Sequence, residues 1–122
     1  MTKLQENVVM PASDHAKAPA YKVKHVVPVI NGSDVQARLL TLAPGEAIPW
    51  HYHRQSTDHY FVPEGVLSIS TREPDVMHRN LPVGSSYRIA PGMPHLIANS
   101  GDSDCRFLLL QGVGTYDWIA AD

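Results

Sequence analysis

Closely spaced turn residues constrain this chain more than any other feature. Clusters of Pro, Gly, Asn, Asp and Ser fall at Asn31-Gly32-Ser33-Asp34, Ala43-Pro44-Gly45, Pro63-Glu64-Gly65 and Glu73-Pro74-Asp75. They recur at Pro82-Val83-Gly84, Pro91-Gly92-Met93-Pro94 and Ser100-Gly101-Asp102-Ser103. The runs between them are too short for ordinary helices, and length is what separates a buried strand from a buried helix. Several runs alternate with the period of two that a half-buried strand requires. In VLSIST (66–71), for example, Leu67 and Ile69 share a face. Eight or more short strands at intervals of roughly 8–12 residues predict an all-β sandwich or barrel.

The predicted strands cover residues 21–30, 35–42, 48–52, 58–62, 66–71, 76–81, 87–90, 95–99 and 105–111. Pro28 inside the first of these suggests an edge or a strand end, because proline cannot donate to the ladder. Residues 1–20 are weakly patterned. A short strand is expected at 7–10 and a loop at PASDHAKAPA (11–20), so this segment reads as an N-terminal arm, flexible or exchanged with a partner subunit. Residues 21–122 then form one barrel domain. Its tail, GVGTYDWIAAD, is expected to add a last strand or to pack Tyr116, Trp118 and Ile119 on the barrel.

Composition narrows the function classes. A hydrophobic fraction of 43% suffices for a packed core. The formal net charge of -2 comes without a basic run, which argues against nucleic acid or an anionic membrane surface as partner. A single cysteine, Cys105, rules out an intrachain disulfide framework and reads as a small buried hydrophobe. The N-terminus has no apolar signal region, and no segment is long enough for a membrane-spanning helix, so the expected location is cytoplasmic.

The chemistry concentrates in APGEAIPWHYHRQSTDHYFVPEG (43–65). His51 and His53 stand two apart, so on a strand both imidazoles point to one side, as a shared metal ion requires. Asp58 and His59 follow within a few residues. Strand alternation gives those two opposite faces, so only one can point inward: Asp58 is the first candidate for a further ligand and His59 the second. His15, His25 and His78 lack such company and read as ordinary polar residues. There is no Ser/His/Asp ordering and no phosphate-binding glycine loop.

Two blocks of the chain resemble the cupin superfamily. The first family pattern is Gly, five residues, His-x-His, three or four residues, Glu, six residues, Gly. It fits Gly45, EAIPW, His51, Tyr52, His53, RQST, Asp58, HYFVPE, Gly65, with Asp58 where the family usually has Glu. The second is Gly, five residues, Pro-x-Gly, two residues, His, three residues, Asn. It fits Gly84, SSYRI, Ala90, Pro91, Gly92, MP, His95, LIA, Asn99, with Ala90 in place of the first proline. The resemblance implies a jelly-roll barrel, the cupin double-stranded β-helix. It also implies that His51, His53, Asp58 and His95 converge on one divalent metal ion. Three imidazoles and one carboxylate form a borderline site suited to Fe, Mn, Ni or Zn, or to Cu(II).

Aspartate reaches about 1.5 Å less far than glutamate along an extended chain. Asp58 therefore binds after a backbone shift or through water, or leaves a three-histidine site. The functions implied are a metalloenzyme acting on a small organic molecule, with an Fe(II)-type dioxygenase favoured, or a non-catalytic metal- or metabolite-binding module. A sugar-nucleotide epimerase-like role fits less well, because such cupins work without metal. The family also implies a homodimer. Arg38 and Arg88 are candidates to hold a substrate carboxylate, although surface exposure is the expectation for both. Tyr60, Phe107 and Met93 read as core or rim, and Asn99 as a turn-fixing residue.

Overall fold

The computed structural model describes residues 5–10 and 21–121. Eleven strands and no helix lie among them. The strands are β1 (Gln5–Met10), β2 (Tyr21–Asn31), β3 (Val35–Leu42), β4 (Ala47–Tyr52), β5 (Thr57–Glu64) and β6 (Leu67–Arg72). They continue with β7 (Val76–Leu81), β8 (Ser86–Ile89), β9 (His95–Ala98), β10 (Cys105–Gly112) and β11 (Ile119–Ala120). A six-stranded sheet in the order β1-β2-β3-β10-β5-β8 faces a five-stranded sheet in the order β11-β4-β9-β6-β7. Every pairing is antiparallel. The segment 7–10 lies within β1, which pairs with β2 of the same chain, and the loop 11–20 with His15 lies outside the described residues.

The core follows from alternation. On β10 the buried side chains are Cys105, Phe107, Leu109 and Gln111. Register sets Phe107 opposite Leu40 and Leu109 opposite Arg38 on β3, and Leu109 opposite Tyr60 on β5. The row at the end of β10 is Gln36, Gln111 and Asp58. One end of the barrel is thus filled by Leu42, Cys105, Leu40 and Phe107, while the other becomes polar row by row.

Prolines inside strands sit at bulges. The β2–β3 register shifts between Pro28 and Ile30. Pro28 is not a strand end, since β2 runs on to Asn31, but among the described residues β1 pairs with β2 only as far as Val26, so Pro28 stands on an open edge as expected. The β5–β10 register shifts between Arg106 and Leu108, where Pro63 falls opposite. An extra residue at a bulge removes the need for one ladder donor, which is the group proline lacks. The turn at Gly65 requires glycine, because φ is +79° and an added Cβ would lie 2.5 Å from the Asp104 carbonyl oxygen.

Candidate metal centre

A third bulge sets the first histidine. Ile48 pairs with Ile97 and His51 with His95, so β4 carries one extra residue, around Pro49-Trp50. Without it, Ile48 and His51, three apart, would face opposite sides; with it, both are buried. His53 follows just beyond the end of β4 on the same side as His51. Asp58 comes from β5, where its neighbours across the sheet are Gln111 of β10 and Ile89 of β8. His95 opens β9, directly between His51 of β4 and Thr71 of β6.

The structure brings His51, His53, Asp58 and His95 together. Their donor atoms all lie within 4.8 Å of one another, and no residue of the four is more than 3% exposed. The ring centroids are 4.2 Å apart for His51 and His95, 4.9 Å for His51 and His53, and 5.4 Å for His53 and His95. His59 lies on the opposite face of β5 and lines an outer hollow with Phe61, Tyr87 and Arg88. His78 is exposed and bonded to Ser70 Oγ at 2.6 Å. His25 is half-buried on β2, away from the cluster.

Each ring is held by the backbone. His51 Nδ1 donates to the Pro49 carbonyl at 2.7 Å, and His95 Nδ1 donates to the Met93 carbonyl at 2.8 Å. His53 Nδ1 donates to the carbonyl of Asp117. A carbonyl only accepts, so each Nδ1 carries the proton, and in the neutral ring Nε2 is left with its lone pair. Those lone pairs converge on a carboxylate. His95 Nε2 lies 3.0 Å and His53 Nε2 3.3 Å from Asp58 Oδ2. A bare imidazole nitrogen and a carboxylate oxygen repel at such distances unless a cation, a proton or a metal ion, stands among them. The donor set therefore fits a divalent ion.

Around this cluster lies a shell in which Tyr60, expected as core or rim, and Arg38, expected at the surface, both take part, together with Gln36 and Gln111, which the sequence pattern did not single out. Tyr60 OH donates to Asp58 Oδ2 at 2.8 Å, and Gln111 Nε2 donates to Asp58 Oδ1 at 3.0 Å. The Gln111 carbonyl oxygen in turn accepts from Gln36 Nε2 at 2.7 Å and Arg38 Nη2 at 3.0 Å. Trp118 stacks on His51 at 4.6 Å with a 12° interplanar angle, and Tyr21 stacks on Trp118 at 5.8 Å. Beside this clasp, β11 pairs with Tyr52 and His51 of β4, while the Asp117 carboxylate holds Arg54 through its backbone N at 2.9 Å and its Nε at 2.5 Å. Gln111 had a readable signal: it is the one polar residue on the buried face of β10. The tail adds the expected last strand and packs Trp118 on the barrel, but its contact with the histidines had no signal, because it depends on how the chain returns across the barrel.

The electrostatics match this geometry. Burial drives the His51 pKa well below 6.5, and the neighbouring His95 and His53 push it down further. For Asp58 burial acts upward, but the hydrogen bonds and charges of His53 and His95 outweigh it and hold the carboxyl well below 3.8. His53 is raised: burial acts downward, and the bond and charge of Asp58, with help from Asp117, overcome it. Burial raises the Tyr60 phenol, and the Asp58 charge adds to that, so Tyr60 remains a donor. Asn99 is a turn-fixing residue, donating to the carbonyls of Leu42 and Ser103 and accepting from Gly101 N–H. Arg88 is exposed on the outer face, whereas Arg38 points into the barrel and is half-buried.

A protein-family model described as Cupin domain matches residues 38–111. The chain belongs to the cupin family. A sequence search of curated proteins finds no match. Among solved structures, the chain is similar to a Klebsiella pneumoniae protein with a double-stranded β-helix domain. Identity is 23%, the TM-score is 0.66, and the match covers 93% of this chain and 91% of that one. It is also similar to an oxalate oxidase (20% identity, TM-score 0.64, covering 72% of this chain and 46% of that one). An oxalate decarboxylase from Lactobacillus farciminis, solved as a formate complex, matches at 20% identity and TM-score 0.66 over 78% of this chain. The cupin spans less than half of the oxalate oxidase chain and 31% of the decarboxylase chain. At these identities the likeness is one of fold.

Proposed function

We propose that this cupin holds one divalent metal ion, Fe, Mn, Ni or Zn, through Nε2 of His51, His53 and His95 and a carboxylate oxygen of Asp58. The observation that carries the proposal is that three backbone carbonyls each accept a hydrogen bond from an Nδ1 proton, which leaves Nε2 of all three rings as the atoms aimed at one carboxylate. When bound, such an ion supplies Lewis acidity and, if it is Fe(II), a site for O2. The function supported is a metalloenzyme acting on a small organic molecule, with an Fe(II)-type dioxygenase as the favoured chemistry. Asp58 supplies the anionic ligand, Tyr60 and Gln111 hold its two oxygens in place, and the aromatic cover of Trp118 and Tyr21 keeps water from the His51 side.

Metal content of protein purified without added metal tests this reading, alongside His51→Ala and His95→Ala. Bound metal at one ion per chain, lost in both variants, supports it; metal content unchanged in both variants refutes it. The near-complete burial of all four residues favours a second reading, a non-catalytic metal-holding module. Oxygen uptake by the Fe(II)-loaded protein with small acids and catechols separates the two, since a module consumes none.

The family's dimeric habit has support of its own. An apolar hollow on the outer face of the six-stranded sheet is lined by Val29, Leu39, Phe61, Val62, Pro63 and Leu108, with Val29 and Phe61 about half exposed. A homodimer covering this face would be lost in Phe61→Glu by light scattering.

A further inference from the structure

Among the described residues, Arg38 is a cation inside the barrel with no anion beside it. Its place on the inward face is fixed by register, opposite Leu109 and one row from Gln111 and Asp58. Its hydrogen-bond partner Gln111 is uncharged, and its other close neighbour is the Tyr116 phenol. The Nε atom is buried and has no hydrogen-bond partner. Among the described residues no carboxylate forms an ion pair with Arg38: Asp117 is taken by Arg54, and Asp58 lies beyond Gln111. A buried donor without an acceptor, on a group that carries a full charge, costs folding free energy and calls for a partner that satisfies it.

A second donor in the same neighbourhood is also unsatisfied. Trp118 is 5% exposed, and its Nε1 has no partner. Trp118 stacks on His51 on one side and on Tyr21 on the other, and Tyr21 feels the charge of Arg38. Two orphaned donors thus border one histidine cluster. Charge balance points the same way. Asp58 and Arg38 already cancel each other, so a dication adds two positive charges that no further described side chain offsets.

We infer that Arg38 is the recognition residue for a small carboxylic acid, whose carboxylate meets the free Nε edge of the guanidinium beside the metal centre. This deepens the metal-binding proposal and rests on it for the charge argument, whereas the unsatisfied Nε stands without it. A guanidinium offers a planar pair of donors that matches a carboxylate, and a buried pairing of this kind discriminates strongly against an uncharged ligand of the same shape.

The test titrates acetate and benzoate, with acetamide and benzamide as uncharged matches, into Zn(II)-loaded protein by calorimetry. Zinc content is measured first in wild type, Arg38→Gln and Arg38→Met. The wild type is expected to bind at least one carboxylate and to prefer it to its amide. Both variants are expected to lose about tenfold or more of that affinity while keeping their zinc. The inference is overturned if neither carboxylate is preferred to its amide, or if a folded variant binds the carboxylate as the wild type does. If zinc fails to load, the same titrations are run on the metal-free protein. Arg38-dependent carboxylate binding there keeps this inference and removes the metal proposal, and its absence removes both. Zinc that loads normally, with carboxylate binding indifferent to Arg38, removes this inference alone.

Discussion

Replacing Asp58 with Asn separates a four-ligand centre from a three-histidine one. The two side chains have the same shape, and the change removes the only negative charge among the four converging residues. The donor atoms lie within 4.8 Å of one another, so an ion among them stands roughly 2–3 Å from the Asp58 oxygen. Two unit charges about 4 Å apart interact by about 4 kcal/mol at an effective dielectric near 20, and a dication doubles that. If the Asn carbonyl dipole and local relaxation recover over half of this, the net loss is about 3 kcal/mol, or roughly 100-fold in affinity. The metal-free protein should tolerate the change. The Asn amide can donate to the Nε2 lone pairs of His95 and His53, which lie 3.0 and 3.3 Å from the oxygen it replaces. The assay is competition against a chromophoric chelator with Zn(II) and Co(II), with circular dichroism of the metal-free variant as control. An affinity within threefold of wild type in a folded variant refutes the argument and leaves the three histidines as the whole ligand set.

Other outcomes follow from the same geometry. Metal binding should release a proton, and His53 is its source. With its pKa raised above 6.5, His53 favours the metal-free fold below 6.5, and that contribution fades as pH rises through its folded value. His51 and Asp58, both depressed, act in the opposite sense: stability of the metal-free protein falls as pH drops below 6.5 for His51, and below 3.8 for Asp58. Calorimetry in buffers of different ionisation enthalpy should therefore find proton release near neutrality that disappears in His53→Ala. Asp117→Ala should cost only about 1 kcal/mol in urea unfolding, because Arg54 is mostly exposed, and should leave metal affinity nearly unchanged, because His53 is held by the Asp117 carbonyl rather than its carboxylate. Gly65→Ala should destabilise by about 1–3 kcal/mol, since a positive φ and a backbone clash coincide there. Cys105, fully buried and with its thiol raised by burial to about 11, should react with Ellman's reagent at pH 8 only after denaturation.

The sequence by itself determined the fold class and the His51–His53 pair, while Asp58 and His95 joined that pair only through the resemblance of two blocks to the cupin pattern. Turn residues at short intervals leave room only for strands, and alternation decides which side chains point inward, so a His-x-His pair necessarily shares a face. Both are local properties carried by the spacing of a few residues. Within β2 even this failed, since Val23 and Val26 fall on opposite faces by strict alternation and yet both are buried. What surrounds the cluster was decided by the tertiary structure. Bulges at Pro49, Pro28 and Pro63 shift register by one residue, and such a shift re-aims every side chain beyond it. Arg38 reaches Gln111 across 73 positions and His53 reaches Asp117 across 64, over strands that meet only once both sheets have closed. No period in the chain encodes those meetings. That is why an arginine expected at the surface stands inside the barrel, and why the last residues of the chain hold the histidines near its middle.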